Sequence, residues 1–348
     1  MIRPLLLAAL ACIAMPAAAD PAPDLPPSYV PHAKVSGTIT IAGHGAYGKR
    51  ADFIEALTGK WEDGFRRYQP GVTFKTDLKG TAAAMGGLYT GTADLALMGR
   101  EIWAPEIAAF REVKGYAPTG IDVLTGSFAT RNRGYAITIF VHKDNPVRAI
   151  SLTQLDALYS QTRRRGGKAV ATWGDLGATG AWATRPVHLY GLPIARGFAE
   201  YMQERVFLGG SRWNPAIREF ADAPGTTGEA DGGAAMVKAM ADDPDAIGYA
   251  GALYSDPGVK LIAVSEGAKP AVFPTERHVM DRSYPLARII TIFLDKQPGK
   301  PADPKLTEFL RYVLSREGQQ AVLSDGGGYL PILAPEAARQ IAKLEKSR

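Results

Sequence analysis

The chain has 348 residues, 46% of them hydrophobic and 22% charged, an ordinary globular composition that excludes a fibrous or wholly disordered protein. Its 40 Lys and Arg against 35 Asp and Glu leave a net charge of +5, spread along the chain with no basic stripe interleaved with aromatics. That pattern excludes a nucleic-acid interface, while a modest positive field favours small anions.

The N-terminus reads as a targeting segment. Arg3, the apolar run from Leu5 to Met15, and Ala17-Ala18-Ala19 before Asp20 predict a secretory signal peptide over residues 1–19 and export to the periplasm. The run is too short for a permanent membrane anchor. Cys12 as a lipidation site is disfavoured, because Ala9 stands three residues before it. Cleavage after Ala19 would leave about 330 residues, a length that suggests two domains. That mature chain would hold no cysteine, hence no disulfide, no thiol nucleophile and no Cys-ligated metal. Residues 20–34, rich in Pro and Ala, read as a disordered leader.

Residues 37–42 (GTITIA) alternate and are β-branched, so they predict a strand, which runs into Gly43-His44-Gly45-Ala46-Tyr47. A helix follows over 53–68, with Phe53, Leu57, Trp61, Phe65 and Tyr68 at helical spacing and Pro70-Gly71 as its stop. Residues 72–78 predict a second strand, 83–89 a helix after Gly80-Thr81-Ala82, and 93–98 a third strand. This alternation implies parallel pairing with covering helices. In such sheets ligands sit outside the carboxyl ends of the strands, so the loops after these strands are the candidate site.

A second unit begins at 135–142 (YAITIFVH), a strand. Ser151 is a helix cap for 152–159. Arg163-Arg164-Arg165 reads as a solvated loop. Residues 185–190 predict a strand, 195–207 and 233–241 helices, and 246–250 a strand. Residues 288–294 (RIITIFL) form a strand like that at 135–142, and 306–314 and 318–323 predict helices, Ser315 capping the second. There is no solenoid repeat, G-x-S-x-G elbow or H-E-x-x-H motif, and the five histidines are dispersed, so neither an enzyme nor a zinc site is expected and no cofactor is implied.

Several widely separated passages together resemble one family. They are Gly91-Thr92-Ala93-Asp94-Leu95-Ala96-Leu97-Met98-Gly99-Arg100-Glu101; Val141-His142-Lys143-Asp144-Asn145-Pro146-Val147; Trp173-Gly174-Asp175-Leu176; Asp245-Ala246-Ile247-Gly248-Tyr249; and Tyr284-Pro285-Leu286-Ala287-Arg288 with Tyr329-Leu330-Pro331. In this order they are similar to the substrate-binding proteins of phosphate-type ABC transporters, and the likeness spans about Val35 to Leu333. The resemblance implies the two-lobe type II periplasmic-binding fold, an α/β protein with mostly parallel sheets, helices on both faces and two hinge crossover strands. Lobe one would comprise 35–132 and 286–348, and lobe two 133–285, with the strands at 135 and 288 neighbours near the hinge. It also implies no catalysis, a phosphate-like anion held in the cleft, an inner-membrane ABC permease as partner, and a monomer. A phosphonate, another oxyanion, a small organic anion or a non-transport signalling role are the alternatives.

The family grips its anion with Ser and Thr hydroxyls, helix N-termini and an Arg, because a dehydrated oxyanion needs dense donors and positive partial charge. Carried over, the ligand-binding positions are His44, Gly45, Ala46, Thr81, Ala82, Gly99, Arg100 and Arg196. The usual Ser before Arg100 is here Gly99, and the lobe-two signature G-S-G-T aligns with Gly191-Leu192-Pro193-Ile194, which has lost both hydroxyls. His44 and Thr81 each also have a plain structural reading, as a turn residue and a helix cap. Arg100 is open to pairing with Glu101 or Glu106, and Arg196 to facing water. Asp94 reads as a turn residue, and Trp173, Tyr249 and Tyr284 as packing.

Overall fold

A computed structural model describes residues 23–45, 52–131, 134–195, 198–222 and 232–346; the expected signal peptide lies outside them. The first sheet contains β1 (Ser36–Gly43), β2 (Gly71–Asp77), β3 (Leu95–Leu97), β4 (Thr119–Thr125) and β11 (Ile289–Leu294), in the order β2-β1-β3-β11-β4. The second contains β5 (Ile137–His142), β6 (Ala149–Ser151), β7 (His188–Gly191), β8 (Arg218–Glu219), β9 (Ala246–Gly251) and β10 (Val259–Ser265), in the order β6-β10-β5-β9-β7-β8. The first sheet draws on both ends of the described chain and the second on its middle, which gives two lobes.

The first lobe is covered on both faces. On α1 (Asp52–Tyr68), Ile54, Leu57, Trp61 and Phe65 recur at helical spacing and are buried, while Tyr68 remains exposed. Trp61 Nε1 donates to the carbonyl of Gly318 in α9 (Arg316–Asp325) at 2.8 Å, which ties α1 to α9, and the C-terminal helices α8 (Pro304–Val313) and α10 (Ala334–Glu345) share the same core. The other face carries α2 (Thr81–Thr90) and α3 (Ala104–Lys114), with Met85, Leu88, Met98 and Phe110 between helices and sheet. A sheet covered twice has strands buried on both faces, and so β3 reads as three consecutive apolar residues. In the second lobe α4 (Leu152–Tyr159), α5 (Phe198–Arg205), α6 (Gly232–Ala241) and α7 (Glu276–Met280) enclose a core built on β5, β7 and β9.

The sheets are more mixed than expected. In each lobe one strand is antiparallel to both its neighbours: β11 to β3 and β4, and β5 to β9 and β10. These are the two strands of similar sequence. They are not neighbours in one sheet. Each is the strand by which a crossover enters a lobe, and each has a strand on both sides, which is why both read as unbroken β-branched and aromatic runs. Their starting ends do meet at the hinge. Gly126 N donates to Arg288 O at 2.8 Å, and Ile137 N donates to Leu286 O at 3.1 Å.

Ser151 and Ser315 accept from Gln154 N and Gly318 N as N-caps. Asp94 accepts from Thr40 N at 2.8 Å, locking β1 to the turn before β3. Trp173, Tyr249 and Tyr284 are buried. The arginine loop is a loop, but Arg165 in it donates to the carbonyls of Arg205 and Val206 at the end of α5, where a helix leaves carbonyls unpaired. Residues 23–34, expected as a disordered leader, instead form a strap. Tyr29 is buried among Phe65, Tyr68 and Tyr312, and the Pro27 and Asp24 carbonyls accept from Arg316 N and Ala334 N. No helix among the described residues is long and apolar enough to cross a membrane.

Candidate functional site

Strand direction locates the cleft. In the first sheet β1, β2 and β3 are parallel, with Ala42 opposite Asp77 and Gly43 opposite Leu97, so their carboxyl ends finish together. Antiparallel β11 starts at that same end, directly after its crossover. In the second sheet β7, β8 and β9 are parallel, and Gly251 at the end of β9 pairs with Ile137 at the start of β5. Both sets of carboxyl ends therefore face the crossovers and each other, the position at which an open α/β sheet binds ligands.

The three lobe-one loops are stitched into one surface. His44 N donates to Leu97 O at 2.7 Å, and Gly80 N donates to Gly43 O at 2.8 Å. Thr81 is the first residue of α2 and not its cap; Gly80 holds that position at φ 128°, and no side chain caps the helix. The Thr81 hydroxyl accepts from Gly99 N at 3.1 Å. Accepting that bond still leaves the hydroxyl a proton to donate. The N–H groups of Thr81 and Ala82 stand at the positive end of the helix, suited to an anion.

His44, Thr81 and Gly99 are thus brought together. An added Cβ at Gly99 would lie 2.3 Å from both Cγ and Nδ1 of His44, so the imidazole fills the space of a side chain at position 99. Phe53 and Tyr329 flank the ring, with the Tyr329 hydroxyl 3.5 Å from His44 Nε2. Gly45 is buried, and a Cβ there would meet the Leu78 carbonyl at 1.7 Å, so only its backbone can serve a ligand. Ala46 and Arg196 lie outside the described residues.

Arg100 turns away from these loops. Its guanidinium makes two bonds to Glu106, at 2.8 and 2.9 Å, and stacks 3.5 Å over the Trp103 ring. Glu106 also accepts from Trp103 N at 2.8 Å, so Arg100 anchors the first turn of α3. Glu101 pairs instead with Arg288, at 3.0 and 2.5 Å. Arg288 is 6% exposed and was missed in the sequence. A signal was present: a charge at the head of the otherwise apolar run RIITIFL must be paired if that run is buried.

On the lobe-two side, Gly191-Leu192-Pro193-Ile194 leaves β7 at its carboxyl end. Pro193 has no N–H, and Ile194 N already donates to Glu219 Oε2 at 3.0 Å. Leu192 O accepts from the buried Tyr249 hydroxyl. This loop offers few donors, and the exposed Glu219 carboxylate stands beside it. Among the described residues, the His188, Asp243 and Asp245 grouping has metal-like spacing, but it lies at the opposite, amino ends of β7 and β9. Its groups pair with one another and with Arg185 and Tyr190.

Comparison with known proteins agrees with this geometry. Residues 30–317 match the model of the PBP superfamily domain. The chain is 34% identical over 330 residues to the phosphate-binding protein PstS of Pseudomonas aeruginosa strain PAO1, covering 94% of this chain and 92% of that one. It is 23% identical over 277 residues to protein SphX of Synechococcus elongatus, covering 78% and 72%. The crystal structure of PstS from Borrelia burgdorferi shares the fold, with a TM-score of 0.53 at 13% identity over 85% of this chain and 98% of that one. With paired lobes, facing carboxyl ends and a match over most of its length, this chain belongs to the PBP superfamily domain family.

Proposed function

We propose that this protein binds inorganic phosphate between its lobes and hands it to an ABC permease of the inner membrane, as an exported periplasmic monomer and not as an enzyme. The observation that carries the reading is the 34% identity to a phosphate-binding protein over nearly the whole of both chains. The lobe-one loops support it chemically. Thr81, the start of α2 at Ala82, and the backbone at Gly45 give hydroxyl and N–H donors, Gly99 N orients the Thr81 hydroxyl, and His44 adds a ring nitrogen where the family has a Ser at position 99. Ala46 and Arg196 complete the proposed set, while Arg100 holds the loop from behind. In this reading the lobes divide near 132/133 and 285/286.

A second reading is favoured by one specific feature. The lobe-two loop lacks hydroxyls, and its Ile194 N–H is engaged by Glu219. That half of the cleft suits a ligand whose far end is not anionic, such as a phosphonate or a small organic anion. Titrating the protein with phosphate, sulfate, phosphonates and carboxylates while recording its melting temperature separates the two, because a ligand that binds only the native state raises apparent stability by about 2.7 kcal/mol at 100 times its Kd. A rise with phosphate that exceeds the others is expected. No rise at millimolar phosphate overturns the first reading, and a rise with a phosphonate or carboxylate alone establishes the second.

A further inference from the structure

We propose that Arg288 is the positioning residue of the hinge, and that its ion pair with Glu101 fixes the lobe-one ligand loop against lobe two and so sets how readily the cleft closes. The inference rests on the phosphate reading only for its affinity readout.

Four parts of the molecule meet at Arg288. Its backbone carbonyl accepts from Gly126 N on the other crossover at 2.8 Å. Its guanidinium forks onto both carboxylate oxygens of Glu101, two residues beyond Gly99. The same guanidinium lies 5.3 and 5.2 Å from the ring centroids of Phe198 and Tyr201 on α5 of lobe two. The Tyr201 hydroxyl donates to Ala287 O at 3.1 Å, so α5 grips the crossover beside the pair. Arg100, by contrast, pairs with Glu106 in the adjoining helix α3 and does not leave lobe one.

The chemistry suits a fixed point. A planar fork holds a carboxylate in one orientation, which a lysine point charge does not. Stacking on two rings holds the fork itself. A buried ion pair is a weak source of stability and a better source of specificity, here the angle between lobes. Without the pair, the Gly99 loop would no longer be tied to α5, and more ligand-free orientations would become accessible. Only a fraction of these would be competent to bind, and apparent affinity falls by that fraction.

The test uses spin labels at Leu323→Cys in lobe one and Phe273→Cys in lobe two, both exposed, in the cysteine-free chain from Asp20 onward, with the interlobe distance distribution read by pulsed EPR. Glu101→Gln and Arg288→Lys should each broaden the ligand-free distribution and weaken inorganic phosphate binding by about tenfold while melting stays cooperative, and the double variant should lose little more than either single one. An unchanged ligand-free distribution in a cooperatively melting variant overturns the proposal. If Arg288→Lys does not fold, Glu101→Gln decides alone, since its side chain is 27% exposed and keeps one acceptor. The ligand-free distribution reports on the hinge even if the native protein shows no phosphate response, and that second result would bear on the phosphate reading only.

Discussion

An added Cβ at position 99 would sit 2.3 Å from the His44 ring, so a side chain at 99 and the imidazole at 44 exclude each other. A Ser side chain at 99 and the imidazole at 44 compete for the same space at the end of β1 and β3. Gly99→Ser alone should therefore overpack the site, costing about 1–3 kcal/mol of stability in urea unfolding and lowering phosphate affinity. The double variant His44→Gly with Gly99→Ser should recover both, because the ring that blocks the hydroxyl is gone. If the double variant binds no better than Gly99→Ser, His44 does not stand in for the serine. The reciprocity bears on what the sequence disclosed. Strand ends and glycine-rich loops were enough to bring His44, Thr81 and Gly99 to one spot. They could not show that Gly99 and His44 exclude each other, which depends on a contact between loops 55 positions apart in the chain. The pairings of Arg100 and Arg288 stayed open in the sequence for a related reason. Each has an acidic residue within reach, and only the fold decides that Glu106 takes the first and Glu101 the second.

Elements with period-2 or helical patterning were legible: β1, β5, β11 and α1 follow the predicted spans closely. Those that escaped did so for different reasons. On α3 only Phe110 is buried, so its pattern is weak, whereas α10, with Ala337, Gln340 and Leu344 on its buried face, and the apolar strands β4 and β10 carry a readable pattern outside the predicted spans. The N-terminal strap was obscured by its composition, since proline and alanine carry no periodicity, while the information lay in Tyr29. That side chain is 6% exposed, and its hydroxyl donates to Glu308 Oε2 at 2.5 Å. Burial, and then Glu308 beside it, push the phenol well above its ordinary pKa, so it stays a donor at any pH the protein meets. The strap thus closes one end of the lobe-one core beneath α8. Tyr29→Ala should cost about 3–5 kcal/mol, as for other large aromatic truncations, and Tyr29→Phe about 1.5–3 kcal/mol for the lost hydrogen bond to a buried carboxylate. Both are read from urea midpoints. A Tyr29→Ala loss below 1 kcal/mol would mean the strap adds nothing to the core.

At the scale of the whole molecule, the lobes join where three backbone segments run side by side. Gly126 is the narrowest point: a Cβ there would meet the Gly134 carbonyl at 2.0 Å and Arg288 Cβ at 3.2 Å. Close approach of backbone to backbone requires glycine, and here it lets Gly126 N reach Arg288 O. Gly126→Ala must therefore displace the Gly134 carbonyl within its own crossover and crowd Arg288 on the other, and the displacement is passed to both sheets, since β4 ends at Thr125 and β11 begins at Ile289. The lobes keep separate cores, so each should stay folded while their relation changes. The expected result is a modest fall in ligand-free melting temperature and a much larger loss of the phosphate-dependent rise, because that rise depends on both halves of the cleft. Gly59→Ala on α1 is the matched control. Nothing lies within 4 Å of the added methyl, and a helix interior gains about 1 kcal/mol from the exchange, so stability should rise with phosphate binding unchanged. Equal losses of melting temperature and phosphate response in Gly126→Ala would indicate general damage. A selective loss of the response ties the crossovers to ligand capture.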